Sequence, residues 1–147
     1  MSEADTAIRL ALEQEPAAED MALLGQRLRE FNDAQVGPSG YRPLAVFLRE
    51  ESGAVAGGLV GSTSRGWLHI DVLWVREELR GRGFGTALLQ EAEREAAARG
   101  CAHVLLDTFS FQAPGFYRKQ GYAVRAELRD WPPGHSRFFM TKDLAPG

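Results

Sequence analysis

The residues best suited to chemistry stand together in one stretch, Leu73-Trp74-Val75-Arg76-Glu77-Glu78-Leu79-Arg80-Gly81-Arg82-Gly83-Phe84-Gly85-Thr86. It reads as the end of a strand, a short charged loop, and glycines that open a helix. The first turn of a helix leaves backbone N–H groups without partners and carries the positive end of the dipole, and glycines let an anion reach them. Arg80 and Arg82 add charge-assisted donors, so phosphate binding is the chemistry expected, the alternative being a tight strand-to-helix turn with solvated arginines. Spacing narrows the ligand. A nucleoside triphosphate loop needs Gly-Lys-Ser or Gly-Lys-Thr, and the stretch has no lysine. A dinucleotide fingerprint needs a glycine three residues after Gly83, where this chain has Thr86 after a meander strand, which argues against nicotinamide and flavin.

Acid–base candidates lie on the strand that feeds this loop. Strict alternation over Trp67–Val75 puts Leu68, Ile70, Val72 and Trp74 on one face and Trp67, His69, Asp71, Leu73 and Val75 on the other. His69 and Asp71 then share a face, and either could take a proton. Asp107 ends the next strand beside the site, and Arg129–Arg137, with Trp131-Pro132-Pro133-Gly134-His135, forms a polar, aromatic loop that is either a rigid turn with Trp131 covering the core or a surface for recognising the acceptor. His69, His103 and His135 are dispersed without metal-ligand spacing, so no metal is assigned. Cys101 is the sole cysteine, which excludes an internal disulfide and suits a reducing cytoplasm; it reads as a small core residue.

The elements that must position these residues follow from periodicity. Thr6–Leu12 alternates Ile8, Leu10 and Leu12 with polar residues, as a half-buried strand does. Ala17, Met21, Leu24, Leu28 and Phe31 form one face of a helix that starts after Pro16 and ends before Gly37-Pro38. Leu44–Arg49, Val55–Val60 and Trp67–Val75 read as a strand meander, and Gly83–Arg99 as an amphipathic helix stopped by Gly100. His103–Leu106 reads as a buried strand and Pro114–Gln120 as a short helix, with Tyr122–Leu128 and Ser136–Thr141 as closing strands. The order is β α β β β α β α β β.

The 147 residues suit a single domain, 1–147, and 44% hydrophobic content is enough for one core. Seventeen Lys and Arg against 20 Asp and Glu give a net charge of −3, which excludes a general basic field for nucleic acid or anionic membranes. No apolar run approaches the roughly 18 residues of a membrane span, so a cytoplasmic protein is expected.

Arg80-x-x-Gly83-x-Gly85 after Leu73-Trp74-Val75 resembles the acetyl-CoA signature of the GNAT superfamily of N-acetyltransferases. Ala113-x-x-Phe116-Tyr117-Arg118-Lys119-Gln120-Gly121-Tyr122 is similar to a second landmark of that family, and the element order agrees, so the resemblance covers nearly the whole chain. It implies an α/β (α+β) fold with a mixed, mostly antiparallel central sheet of about six to seven strands flanked by helices.

By the same resemblance, the backbone of Arg80, Gly81, Arg82, Gly83, Phe84, Gly85 and Thr86 would hold the pyrophosphate of acetyl-CoA. Leu73, Trp74 and Val75 would pair with the pantetheine arm as an added strand. Tyr117 would protonate the leaving thiolate, and His69 or Asp71, with Asp71 slightly favoured, would accept the proton of the attacking amine. Many relatives carry Asn seven residues before the tyrosine; here that position is Ser110, which by the resemblance would face the pantetheine arm.

The expected function is transfer of an acetyl group to a primary amine, foremost of a small molecule, by direct attack in a ternary complex. Protein lysines or N-termini as acceptors, and a noncatalytic acyl-CoA-binding module, are the alternatives. The terminal strands offer edges through which a homodimer could pair.

Overall fold

The computed structural model describes residues 7–145. The chain groups into two units, Met1–Pro38 and Ser39–Gly147. In the first unit, α1 spans Ala18–Val36. Pro16 precedes its N-cap, Ala17, and so stands outside the first turn, and the helix stops at Gly37, whose φ of 88° no β-carbon-bearing residue adopts easily and whose N–H bonds Asp33 O at 2.8 Å. The strand expected over Thr6–Leu12 is not there. Residues 7–12 form no strand, and Thr6 lies outside the described residues. Alternation fits a residue to a sheet, but a strand exists only with a ladder partner, and the described residues of this unit include no strand.

The second unit is built on β1 (Arg42–Arg49), β2 (Val55–Ser64), β3 (Trp67–Val75), α2 (Phe84–Ala98), β4 (His103–Phe109), α3 (Pro114–Lys119), β5 (Ala123–Arg129) and β6 (Ser136–Asp143). A 3₁₀ turn, Glu77–Leu79, occupies what the sequence suggests is plain loop. The six strands form one mixed sheet in the order β1-β2-β3-β4-β6-β5, antiparallel except where β3 runs parallel to β4. Strand count and helical flanks agree with the expected architecture, and the leading strand is the element missing from the expected order.

The core lies between the sheet and α2. Leu88, Leu89, Ala92 and Ala96, one stripe of α2, are buried against Leu44, Leu59, Leu68, Ile70, Val104, Leu106 and Met140.

Two irregularities of the sheet shape the molecule. First, Val60 pairs with Val72 but Gly61 pairs with Ile70, so Asp71 is an extra residue, a β-bulge in β3. The bulge needs Gly61, because a β-carbon there would stand 2.2 Å from His69 O. It also breaks the strict alternation expected of this strand. Leu68 and Ile70 face the core, but beyond Asp71 it is Leu73 and Val75 that pack there, while Val72 and Trp74 are about half exposed. Second, β3 and β4 pair only through Trp67–His69 and His103–Leu105. Past that point the two parallel strands part.

Candidate active site

The parted strands enclose a cleft of about 680 Å³. Ile70–Val75 line one arm and Leu106, Asp107 and Thr108 the other, with Phe111–Ala113, Tyr117 and Arg80 around the mouth and floor. The sequence gives no direct sign of this divergence, since both strands remain apolar and extended beyond the last paired residue. Along the parted stretch β3 is bonded to β2 on one edge only, so its other edge offers backbone donors and acceptors to whatever fills the cleft.

At the end of β3 the chain makes the 3₁₀ turn and enters α2 through two left-handed glycines, Gly81 at φ 75° and Gly83 at φ 87°. The first helical bond of α2 is Ala87 N–H to Gly83 O at 3.0 Å, and no side chain caps the helix. The N–H groups of Phe84, Gly85 and Thr86 therefore have no helical acceptor, the arrangement that suits an anion. Arg80 lines the cleft, its Nε donating to Val75 O at 2.9 Å, and the Arg82 guanidinium lies 5.6 Å from the Phe84 ring centre. Gly85 serves differently from its neighbours. A β-carbon there would stand 3.3 Å from Cζ of Phe116, so its smallness admits α3.

Tyr117 comes from α3, whose start is fixed by a web at the end of β4. Phe109 N–H donates to Gln112 Oε1 at 2.8 Å, the buried Thr108 hydroxyl donates to the same oxygen at 3.3 Å, and Ala113 N–H reaches Thr108 Oγ1 at 3.5 Å. The ring is held edge-on by Phe116 and Tyr122 at centroid distances of 5.2 and 5.9 Å. Tyr117 is 8% exposed. Its hydroxyl makes no hydrogen bond among the described residues. Burial, and then the charge of Asp107, push its pKa up to about 12 from the usual 10.0.

His69 and Asp71 are brought together, Nδ1 to Oδ1 at 3.5 Å, each side chain half exposed. Asp71, thrown out by the bulge, lines the cleft; His69 stands behind it and does not. Leu73, Trp74, Val75, Arg80 and Tyr117 also line the cleft, while Gly81–Thr86 form the turn that continues from Arg80. Ser110 does not line it. Its hydroxyl accepts from Ser136 N–H at 3.0 Å and its own N–H donates to Ser136 O at 2.8 Å, which closes the β4–β6 end of the sheet.

Asp107, expected to end its strand beside the site, is part of the wall. Its Oδ2 accepts from Arg137 Nε and Nη2, both at 2.7 Å, and the guanidinium is packed 4.2 Å from the Trp131 ring centre with Phe109 and Phe139 beside it. The loop over Arg129–Arg137 does not line the cleft but touches its rim through His135, edge-on to Phe111 at 5.1 Å. A pair separated by 30 residues has no signal in sequence spacing.

The comparisons agree with this architecture. The model of the Acetyltransferase (GNAT) family matches residues 8–122. The chain is 43% identical over 107 residues to a blasticidin-S acetyltransferase of Streptomyces morookaense, covering 70% of this chain and 79% of that one. It is 38% identical over 112 residues to an acetyltransferase of Agrobacterium fabrum, covering 76% and 82%. A crystal structure of an acetyltransferase from Bacillus cereus superposes with a TM-score of 0.82 at 34% identity, covering 91% of this chain and 98% of that one. With a family match across most of its length and the parted strands in place, the chain belongs to the GNAT acetyltransferase family and is an acyltransferase.

Proposed function

We propose that this enzyme transfers the acetyl group of acetyl-CoA to a primary amine of a small molecule, by direct attack within a ternary complex. The observation that carries this reading is the parting of β3 from β4 beside the Asp71 bulge. It supplies a free strand edge for an extended amide-bearing arm, a helix start for a pyrophosphate, and a buried phenol between them. These features fit the parts of acetyl-CoA. The small-molecule acceptor draws support from the relative named for blasticidin-S.

The chemistry follows from the cleft. An amine enters protonated, and the cleft presents two carboxylates to it, Asp71 and Asp107. Asp107 Oδ2 is already engaged by the Arg137 guanidinium, which leaves Asp71 as the carboxylate open to the amine. Asp71 accepts the amine proton, and His69 at 3.5 Å passes it outward. The free amine attacks the thioester carbonyl, and the C–N bond forms as the carbonyl oxygen becomes an oxyanion facing backbone N–H groups of the β3 edge. Collapse breaks the C–S bond. Tyr117, kept neutral by burial at every working pH, gives its proton to the departing sulfur and recovers one from solvent.

Calorimetric titration with acetyl-CoA, on the native protein and an Arg80→Ala/Arg82→Ala variant, tests the cosubstrate site. Binding weakened by about tenfold or more is expected on losing two charge-assisted donors. Equal binding by both proteins would remove the turn as the pyrophosphate site. Thiol release with a panel of small amines then tests the acceptor class; turnover with peptide amines alone would replace it.

A further inference from the structure

The short helix that carries Tyr117 is six residues long, too short to hold its own place. Its position is set by what it touches. At its C-terminal end Gln120, whose backbone N–H closes the last turn on Tyr117 O at 3.0 Å, extends its side chain to α2. There Nε2 donates to Thr86 Oγ1 at 3.0 Å across a partly buried contact. Beside it the Phe116 ring lies against Gly85. Deeper, Glu93 of α2 accepts from the Tyr122 hydroxyl and from Lys142 Nζ, both at 2.8 Å. Among these contacts of the described residues, the Gln120 bond ends on a polar side chain within the helix start read as the pyrophosphate seat. It joins the residue that fixes one end of the cosubstrate to the helix that presents the acid to the other.

We infer that Gln120 is a positioning residue for the reaction: through Thr86 it sets the Tyr117 hydroxyl in register with the seated cosubstrate. This rests on the reading of Tyr117 as the acid and of the α2 start as the pyrophosphate site. The glutamine donates while the threonine hydroxyl stays free to donate onward, toward an anion seated on the helix start. A neutral hydrogen bond lost from this contact leaves α3 attached by its apolar packing, so the helix stays folded but loses its register.

The test crosses Gln120→Leu with Tyr117→Phe, measuring kcat with both substrates saturating, acetyl-CoA affinity by calorimetry, and melting temperature. Gln120→Leu is expected to lower kcat about three- to tenfold, the range for one neutral hydrogen bond. Affinity should stay within about twofold, since the backbone donors at the helix start remain. In the Tyr117→Phe background the same change should have no further effect on kcat, because the residue acts through that hydroxyl. Equal losses in both backgrounds would overturn the inference, since Gln120 would then act on something other than the acid. A Gln120→Leu protein with native kcat would overturn it directly. If Tyr117→Phe alone leaves kcat unchanged, the acid reading fails first and takes this inference with it, whereas absent acetyl-CoA binding by the native protein marks failure of the cosubstrate site.

Discussion

At the scale of single residues, the proposed reaction turns on Tyr117, which lines the cleft. Its removal as Tyr117→Phe deletes one oxygen from a packed ring and leaves the edge contacts to Phe116 and Tyr122, so stability should hold while kcat falls by roughly 10²-fold, the lower end for acid–base assistance. Steady-state kinetics beside a calorimetric affinity for acetyl-CoA checks this. The raised phenol pKa has a signed consequence. A group that holds its proton more tightly when folded stabilises the fold below its unfolded value, near 10.0, and that stabilisation is lost as pH climbs toward about 12. Tyr122 is pushed up further, by burial and then by Glu93, and acts in the same direction. Melting temperature should therefore fall between pH 10 and 12, with a shallower fall in Tyr117→Phe. Tyr117 was legible because a short motif surrounds it. Asp107 was legible only as a neighbour, because its partner Arg137 and the rings that pack the guanidinium come from β6 and a loop far along the chain.

At the scale of elements, the bulge in β3 governs what faces the cleft. Alternation put Leu68, Ile70, Val72 and Trp74 on one face; Leu68 and Ile70 do share the core side, but at Asp71 one extra residue inverts every side chain that follows. No composition rule signals this in β3 itself. The sign stands on the neighbouring strand, in Gly61, which reads in sequence as one more small residue in β2. Gly61→Ala should force the two backbones apart. We expect a loss of about 1–3 kcal/mol, typical of overpacking, read as a lower urea midpoint, together with weaker acetyl-CoA binding because the free edge moves. Undiminished stability would show that the sheet yields there. Helix α2 and its glycine entry, in contrast, were readable almost to the residue, since a 3.6-residue stripe and left-handed glycines are local properties. Gly85 is the exception: its reason is the Phe116 ring, a tertiary neighbour.

At the scale of the whole molecule, the order of strands and helices was legible from Leu44 onward, while the strand expected over Thr6–Leu12 was not formed by the described residues. The alternation of Ile8, Leu10 and Leu12 is a statement about side chains, and pairing is a statement about a neighbour that the pattern does not contain. The acidic balance, net −3, favours cationic acceptors arriving from solution. Initial rates with a small amine should thus fall as salt rises from about 0.02 to 0.5 M, by screening, and a flat profile would show that capture depends on contact alone.

The brevity of the β3–β4 ladder bears on how the two halves of the sheet breathe. Three paired positions stitch them directly, and beyond those the cleft edge of β3 has no neighbour to protect its amides. In deuterium oxide, the cleft-side amides between Ile70 and Val75 should exchange far faster than those paired with β2, and saturating acetyl-CoA should slow them selectively. The cosubstrate would then be the missing rung of the ladder, so an enzyme waiting without it is looser along this seam than one ready to react.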